Sequence, residues 1–565
     1  MNPRWRQPRY EWKTLPWRQI ERRVFKLQRR IYRAEARNDR RTVRRLQRLM
    51  MRSRDARLLA VRRVTQDNRG KRTAGIDGKA KLNADERMQL AQQMSLRAKA
   101  KPVRRIWIAK NNGKEKRPLG IPVIAERALQ ALVKLALEPE WEAKFEPNSY
   151  GFRPGRGAHD AIGAIFNAIV RKPKYVLDAD IAQCFDAIDH QALLTKVNAS
   201  PQISRLIKGW LKAGVWQNGQ WFASTAGTPQ GGVLSPLLAN IALHGMESYL
   251  ESQFPPTSYM HDGKRIRLNT VQVIRYADDF VVLHPDLATV RSAKAALERW
   301  LVPMGLQLKP SKTRIVHTLA ATEVDTGFDF LGFHIRQYPV SRYQRACGYK
   351  TLIKPSAASV KRHYQQLRHL VRKYTGNTQR LLIVSLNHCI RGWSHYFSTV
   401  VSNQAFARLD DQLKRALLVW TKRQRGKRNV HQTIARYWGI DRGMGWQFCS
   451  SDNLCLILHR YTPIRRHVKV RSEQSPFDGD WPYWATRRGR YPGTSARVAS
   501  LLKRQAGRCA HCGLVFDTES LIEVHHRNQN RRDNHSDNLC VLHRHCHDQI
   551  HGDSRQSKRS VHDQD

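Results

Sequence analysis

Two adjacent aspartates, Asp278 and Asp279, stand between two apolar runs of β-forming residues, and this feature limits the possible folds most strongly. The runs are Val271–Ile274 and Phe280–Leu283. The pattern predicts a strand, a two-residue acidic turn and a second strand. Two carboxylates at one turn repel each other unless a divalent cation neutralises them. Aspartate is also a common turn residue, so the pair alone is equally compatible with an ordinary polar turn.

A third carboxylate, Asp180, closes a further predicted strand that begins with the apolar run Tyr175–Leu177. Carboxylates at the ends of separate strands can converge on one pair of Mg²⁺ ions, which prefer such hard oxygen ligands. Two metal ions about 3.5–4 Å apart stabilise the attacking and leaving oxygens of a phosphoryl transfer. The three aspartates therefore indicate a candidate metal site for phosphate chemistry.

The charge of the chain identifies the class of partner. Its 565 residues carry 100 Lys+Arg against 46 Asp+Glu, a formal net charge of +54. Such an excess is strongly self-repulsive unless a polyanion neutralises it, and nucleic acid is the first candidate, ahead of an anionic membrane. No apolar run reaches the roughly 18–20 residues that a membrane span needs. The hydrophobic content of 41% excludes a wholly disordered chain, and the length favours three to four domains.

Two strongly basic regions of the chain have apolar residues at helical spacing. Residues 1–50 hold 17 basic and 4 acidic residues with apolar residues at helical spacing, which predicts one or two basic amphipathic helices. An organellar transit peptide is the alternative, weakened because the pattern continues past residue 60. No secretory signal is expected. Residues 351–400 contain eight Lys+Arg and no acid, and they predict a basic helical domain that continues to about residue 450.

The segments between and after these two basic regions have other patterns. Residues 104–122 predict a hairpin with a basic tip, followed by a helix over Ala125–Leu137. The alternation of helices and short strands up to Phe333 indicates an α+β fold. Residues 460–500 are rich in Arg, Pro, Gly and aromatic residues, which predicts a linker with little core.

Nine cysteines are distributed unevenly. Five are scattered and are expected as single reduced thiols: Cys184, Cys347, Cys389, Cys449 and Cys455. The other four lie among histidines in the last sixty residues. An odd, clustered set in a large chain indicates one metal site in a reducing cytoplasm, not a disulfide framework.

Several blocks together resemble the reverse transcriptases, and they occur in that family's order from about residue 60 to residue 340. Tyr276–Asp279 resembles the YxDD box, and Asp180 with Phe185 resembles the first aspartate motif. Tyr150–Gly155 resembles a signature of the group II intron branch of the family. The remaining matching blocks are Thr228–Pro236, Gly305–Lys312 and Phe330–Phe333.

The resemblance implies a role for each matching residue. Asp180 and Asp278 would hold two Mg²⁺ ions, with Asp279 beside them. Phe185 would exclude ribonucleotides. Arg117 and Lys110 would bind the dNTP phosphates, a task that suits a bidentate guanidinium. Gln230 belongs to the block that packs under the incoming nucleotide.

A later segment, Ser385–Phe397, resembles domain X, the maturase thumb of group II intron proteins. Arg391, Trp393, His395 and Tyr396 mix cations with rings, a combination that suits structured RNA. The alternative is a helical bundle with a solvated basic face.

The cysteine and histidine cluster at the end resembles an HNH endonuclease of the ββα-metal type. The resemblance implies a structural Zn²⁺ held by four residues and a catalytic Mg²⁺ or Mn²⁺ held by three histidines. The expected zinc ligands are Cys509, Cys512, His543 and Cys546. The expected ligands of the second metal are His525, His547 and His551.

Two further residues of this cluster have implied roles. His526 would deprotonate the attacking water, as an imidazole can near neutral pH, and Asn538 would hold the loop that positions it. His543-x2-Cys546 departs from the more usual CxxC, and Cys540 is an alternative ligand. A zinc-stabilised DNA-binding module without cleavage is the alternative function.

The sequence thus predicts an α+β multidomain protein with right-hand-like fingers and palm, a helical thumb and a zinc-containing ββα-metal domain. The predicted divisions are 1–65 (basic extension), 66–340 (fingers and palm), 355–450 (domain X), 455–500 (DNA-binding linker), 501–553 (nuclease) and 554–565 (tail).

The implied function is a group II intron protein that reverse transcribes, assists splicing and cuts target DNA. Its expected partners are intron RNA, double-stranded target DNA and dNTPs, with no membrane, and a homodimer is left open. The expected location is the bacterial cytoplasm, close to the nucleoid, ahead of an organelle. A splicing factor without polymerase activity and a reverse transcriptase of another bacterial system are the alternatives.

Overall fold

The computed structural model describes most of the chain. The described residues are 11–109, 116–261, 264–268, 270–319, 323–424, 429–441, 445–471, 473–480, 483–484, 487, 489, 494–516, 521–530 and 533–551. Lys110, at the predicted hairpin tip, and the predicted tail 554–565 lie outside them.

The predicted basic amphipathic region is helical, and it forms three helices where one or two were expected. They are α1 (Trp17–Glu35), α2 (Arg40–Arg52) and α3 (Arg54–Arg62), and the side chains of Asp39 and Ser53 cap α2 and α3. Their apolar faces pack on the long helix α5 (Ile124–Lys144). Pro139 inside α5 has no N–H to donate to the carbonyl of Leu135, and the buried Gln28 of α1 donates to that carbonyl instead, at 3.1 Å.

The chain then forms a small mixed sheet. After α4 (Ala84–Gln93), strands β1 (Val103–Ala109) and β2 (Lys116–Ile121) pair antiparallel, as predicted for the hairpin. Strand β1 also pairs with β4 (Val215–Gln217), which turns back into β5 (Gln220–Phe222). The order of the sheet is therefore β2-β1-β4-β5.

A five-stranded sheet places the predicted aspartates. Its order is β11-β10-β3-β9-β8. The interior strands are β10 (Arg314–His317), β3 (Tyr175–Asp180) and β9 (Asp279–His284), and the edge strands are β8 (Gln272–Tyr276) and β11 (Asp325–Thr326). Helices α6 (Ala158–Ile169) and α12 (Leu287–Leu301) pack against this sheet.

The remaining elements of this region connect the two sheets. They are α7 (Cys184–Ala187), α8 (His190–Val197), α9 (Pro201–Lys212), α10 (Ser235–Ala242), α11 (Met246–Gln253) and the hairpin of β6 (Thr257–His261) with β7 (Lys264–Leu268).

Residues after 327 form a three-stranded sheet and a helical domain. The sheet consists of β12 (Phe328–Phe330), β13 (Phe333–Pro339) and β14 (Tyr349–Pro355). The predicted basic helices follow as α13 (Ala357–Lys373), α14 (Gln379–Phe397), α15 (Asn403–Arg423) and α16 (Val430–Tyr437). The hairpin of β15 (Trp438–Asp441) and β16 (Gly445–Phe448) closes their core.

One cysteine expectation is wrong. Cys449 and Cys455 form a disulfide instead of remaining single reduced thiols. A tight turn places them opposite each other, because Ser450 donates to the Leu454 carbonyl and Leu456 donates to the Phe448 carbonyl. Two cysteines six residues apart carry no sign of this pairing unless the turn between them is known.

The segment expected to be a linker with little core is also different in the structure. Val470 is fully buried in the core below the five-stranded sheet. The carboxylate of Asp160, at the start of α6, accepts from the Val470 amide at 2.8 Å, from His467 at 3.0 Å and from Arg487. The described part of residues 465–487 is therefore packed against the palm through a buried ion pair.

The C-terminal module is small. It comprises α17 (Ala496–Arg504), the antiparallel strands β17 (Ile522–His526) and β18 (Leu539–His543), and a last helix α18 (residues 544–551). Two strands followed by a helix agree with the ββα order expected from the sequence. Among the described residues, no helix combines the length and apolar character needed to cross a membrane.

Candidate catalytic and metal-binding sites

The three predicted carboxylates lie at one end of the five-stranded sheet. Asp180 ends β3 and is the direct cross-strand partner of Asp279, which begins β9. Asp278 lies in the two-residue turn between β8 and β9, next to Ala277, whose φ is +58°. A non-glycine residue with positive φ is strained, and such strain collects at functional sites. The structure therefore brings together all three aspartates that the sequence singled out.

Burial and mutual repulsion raise the pKa values of two of these carboxyl groups. Burial first, and then the charges of Asp278 and Asp180, raise the pKa of Asp279 to about 7. Burial and the charge of Asp180 also raise the pKa of Asp278. Three partly buried carboxylates that repel one another are a suitable set of hard oxygen ligands for divalent cations. The donor set thus fits the predicted Mg²⁺ ions.

One cation of the chain itself already contacts this set. The ammonium of Lys312 donates to the Asp180 carboxylate at 2.6 Å. Burial pulls the pKa of Lys312 down, but the hydrogen bond and charge of Asp180 outweigh it and raise the pKa. The Lys309 amide donates to the Asp180 carbonyl at 2.8 Å, so the block 305–312 is held beside the carboxylates.

The acidic turn is supported from behind by residues that the aspartate pattern does not reveal. The guanidinium of Arg275, which is fully buried, donates to Asn240 at 3.0 Å and to the Ala277 carbonyl at 3.2 Å. Asn240 in turn donates to the Gly151 carbonyl at 2.7 Å. A Cβ on Gly151 would lie 2.3 Å from the backbone nitrogen of Ala277. The turn therefore rests directly on the loop 150–155, which explains why that loop has glycine there.

The predicted nucleotide-binding residues lie on elements that surround this turn. Phe185 in α7 makes an edge-on ring contact with Phe152, 6.0 Å between centroids. Gln230 donates to Asp186 at 3.1 Å through its side chain, and its carbonyl accepts from Gly120 of β2 at 2.8 Å. Arg117 is exposed on the same strand β2. Lys110 lies outside the described residues, and the roles of all four remain predictions.

The four predicted zinc ligands converge in the C-terminal module. The ligand atoms of Cys509, Cys512, His543 and Cys546 all lie within 4.8 Å of one another. Hydrogen bonds from Cys512 and Cys546 lower the pKa of Cys509 to about 3. Cys540 is buried in the core of the module, outside this group. Three sulfurs and one imidazole nitrogen are the donor set of a structural zinc site, so the residues fit that metal.

The same module contains a second group of candidate ligands. The ligand atoms of His525, His547 and His551 also lie within 4.8 Å of one another. Nδ1 of His525 is buried and has no hydrogen-bond partner among the described residues. Burial and then the neighbouring histidines lower the pKa of His525, which favours the neutral, metal-binding imidazole. The three histidines therefore fit a second metal ion, as the sequence implied.

The two supporting residues of this second group are also placed. His526 follows His525 on β17, and its Nε2 is buried without a hydrogen-bond partner in the part of the chain that the structure describes. Asn538 holds the connecting loop: its side chain accepts from the Asn528 amide at 3.0 Å and donates to the Asp533 carbonyl at 2.8 Å.

A basic cleft joins the acidic turn to the C-terminal module. Its cavity has a volume of about 1400 Å³. Tyr276 and Phe152 line it at the acidic turn, Phe516 lines it at the C-terminal module, and α1 contributes a row of basic residues. These basic residues are Arg18, Arg22, Lys26, Arg29, Arg30 and Arg33.

The rings expected to stack on RNA contact other residues of the protein. Trp393 stacks on His363, 4.5 Å between centroids, and contacts Phe397 and Phe406. The Tyr396 hydroxyl donates to the Leu331 carbonyl at 3.0 Å. These rings join the helical domain to the three-stranded sheet, while Arg391 is exposed. Helical spacing alone did not separate the ring-bearing face from the solvent face.

Three family models match successive parts of the chain. "N-terminal domain of reverse transcriptase" matches residues 12–94, "Reverse transcriptase (RNA-dependent DNA polymerase)" matches residues 108–335, and "Group II intron, maturase-specific domain" matches residues 360–438.

Curated relatives agree with these matches. Protein YkfC of Escherichia coli (strain K12) is 32% identical over 48% of this chain and 78% of that protein. Group II intron-encoded protein LtrA of Lactococcus lactis subsp. cremoris is 43% identical over 26% of this chain and 25% of LtrA. An uncharacterized 91 kDa protein in a cob intron of Schizosaccharomyces pombe is 28% identical over 54% of this chain and 44% of that protein.

Proposed function

Because the chain belongs to the group II intron-encoded reverse transcriptases and maturases, we propose that it copies RNA into DNA, assists the splicing of its intron RNA and cuts target DNA. The observation that carries the polymerase part is the meeting of Asp180, Asp278 and Asp279 at one sheet end. The intron RNA would bind the basic helical domain and the N-terminal helices.

In the polymerase step, Asp180 and Asp278 would hold two Mg²⁺ ions, with Asp279 beside them. When bound, these ions would supply positive charge that stabilises the attacking 3′-oxygen and the leaving pyrophosphate. Lys312 contacts one oxygen of the Asp180 carboxylate, Oδ2, and would compete with a metal ion at that oxygen. Arg117 on β2 would hold the triphosphate. Phe185, held against Phe152, would occupy the space that a ribose 2′-hydroxyl needs.

In the nuclease step, His525, His547 and His551 would hold one Mg²⁺ or Mn²⁺ ion at the scissile phosphate. His526 would take the proton of the attacking water, and Asn538 keeps its loop in place. Zn²⁺ bound by the Cys509 group would hold the module together. The two unpartnered ring nitrogens of His525 and His526 support this assignment.

The basic cleft supports a connection between the two activities. It runs from Tyr276 to the C-terminal module and is lined by the cations of α1, so a nucleic acid strand in it would be neutralised along its length. A DNA strand cut by the nuclease would thereby deliver its 3′-hydroxyl to the carboxylates and prime reverse transcription. Double-stranded target DNA, dNTPs and a bacterial cytoplasmic location belong to this proposal.

Two matched pairs of variants test these assignments. Asp278→Asn should reduce primer extension on an RNA template by more than about 10²-fold, while the control Asp325→Asn, at an exposed position in β11, should not. His526→Ala should abolish cleavage of labelled duplex DNA but leave primer extension intact, with exposed His535→Ala as control. Full polymerase activity in Asp278→Asn would refute the palm assignment. Full cleavage by His526→Ala would refute the nuclease assignment.

A further inference from the structure

A buried arginine of the N-terminal helices contacts the Cys/His metal group of the C-terminal module. Arg62 ends α3, and its side chain is 3% exposed. Its Nη2 atom donates to the Cys512 sulfur at 3.2 Å and lies 3.8 Å from the Cys546 sulfur and 2.8 Å from Nε2 of His545. About 450 residues separate Arg62 from these partners in the sequence.

The surroundings of Arg62 suit a metal-loaded centre. Three thiolates and one neutral imidazole around Zn²⁺ have a net charge of −1, which a guanidinium beside two of the sulfurs balances. Asp67 provides a second anion at 3.6 Å from Arg62 and also pairs with His545 at 3.1 Å. A buried cation needs such charged partners, because desolvation alone would strongly disfavour it.

The rest of the interface consists of the turn that follows Cys512. Leu514 is buried in the same core as the N-terminal helices. The Val515 amide donates to the Glu21 carboxylate of α1 at 3.1 Å, and Arg508 donates to the same carboxylate at 3.1 Å. The metal-binding turn is thus embedded in the N-terminal helices through apolar, ionic and sulfur contacts.

We propose that Arg62 is a positioning residue of the metal centre, so that metal loading and docking of the C-terminal module on the N-terminal helices stabilise each other. This inference rests on the metal centre of the proposed function. Residues that hold ligands from outside typically change metal affinity about 10–100-fold. Coupling between two binding equilibria is reciprocal, so the loaded metal must favour docking by the same factor. Binding of Zn²⁺ to the Cys509 group would then hold the nuclease module more tightly at the basic cleft.

The first test measures Zn²⁺ affinity of the full chain by competition with a chromophoric chelator. Arg62→Met should bind Zn²⁺ about 10–100-fold more weakly than the wild type, and Arg62→Lys should fall between them. The matched control is Arg52→Met, at an exposed arginine that ends α2. Primer extension by each variant shows whether the polymerase is still folded. If Arg62→Met misfolds, Glu21→Ala replaces it, because it weakens the interface from α1 without touching a ligand.

The second test measures docking itself at saturating Zn²⁺. Arg508→Lys places an amine beside Glu21, so that a carbodiimide can join the two residues, and mass spectrometry quantifies the cross-link. Adding Arg62→Met to this chain should lower the cross-link yield severalfold, and adding Arg52→Met should not. Wild-type Zn²⁺ affinity and an unchanged cross-link in the Arg62 variants would overturn the inference while leaving the metal centre intact. Absence of Zn²⁺ binding by the wild type would instead overturn the metal centre itself.

Discussion

Replacing Gly151 with alanine should slow polymerisation by moving the acidic turn. The backbone of Gly151 has no positive φ, so alanine is acceptable to the local conformation. The added Cβ would nevertheless lie 2.3 Å from the Ala277 nitrogen and 2.9 Å from the Tyr276 carbonyl carbon. Ordinary van der Waals contact begins at 3.4 Å, so the two backbone segments must separate by about 1 Å.

That displacement moves the acidic turn, which carries Asp278. The Tyr150 amide donates to the Arg275 carbonyl, and Asn240 donates to the Gly151 carbonyl, so the loop 150–155 cannot retreat without breaking both bonds. A misplacement of 1 Å at a reacting centre reduces the rate about 10²-fold. We therefore expect Gly151→Ala to extend a DNA primer on an RNA template about 10²-fold more slowly in single-turnover experiments at saturating Mg²⁺.

A matched glycine provides the control. Gly209 lies inside α9, where an added Cβ would be 3.6 Å from Ala100, an ordinary contact. Gly209→Ala should keep full activity and gain about 0.5–1 kcal/mol in stability, because alanine favours a helix over glycine. The melting temperature and zinc content of Gly151→Ala must remain close to those of the wild type for the comparison to hold. A folded Gly151→Ala that polymerises at the wild-type rate would show that the loop does not position the turn.

Three further predictions concern the protonation of Asp279, the Mg²⁺ requirement and the segment that packs on Asp160. Burial, Asp278 and Asp180 raise the pKa of Asp279 to about 7 from an ordinary value of 3.8, so the folded metal-free protein retains a proton that the unfolded chain loses. This proton should make the stability fall as the pH rises from about 4 to 7. Because burial also raises the pKa of Glu247 to about 7, Asp279→Asn should reduce that slope in thermal melts of Mg²⁺-free protein without removing it. Mg²⁺ must displace the Asp279 proton, so the Mg²⁺ concentration for half-maximal primer extension should rise about twofold from pH 8 to pH 7 and about fivefold from pH 7 to pH 6. Asp160→Asn should leave Arg487 and His467 without their anion, destabilise the docking of residues 465–487 by about 3–5 kcal/mol and expose that segment to limited proteolysis; unchanged cleavage would contradict the role of the buried ion pair.

The sequence predicted the parts of each site that lie in short segments. The strand-turn-strand pattern located Asp278 and Asp279, and the end of an apolar strand located Asp180. The resemblance of the cysteine and histidine cluster to an HNH endonuclease implied seven ligands in two groups, and the structure brings together the same two groups. These predictions were possible because local periodicity determines secondary structure, and because the type of ligand atom limits the metal.

The supporting contacts could not be predicted in this way. Arg275 in β8 and Asn240 in α10 support the acidic turn, and neither residue stands out in the sequence by its spacing or charge. Trp393 and Tyr396 look like rings for RNA but pack inside the protein, since burial of an amphipathic face depends on which surface covers it. The Cys449–Cys455 disulfide depends on a turn whose geometry the two residues do not encode by themselves.

The sequence by itself determined the class of partner, the order of the domains and the chemical groups available for catalysis. Charge, hydrophobic period and ligand type are properties of residues and short segments, so they can be read before folding. Only the tertiary structure decided that Val470 and Arg487 meet Asp160 of α6 and that Arg62 reaches the Cys512 sulfur of the C-terminal module. Such contacts join residues hundreds of positions apart, where complementary shape and paired burial, and no repeating pattern, determine which residues meet.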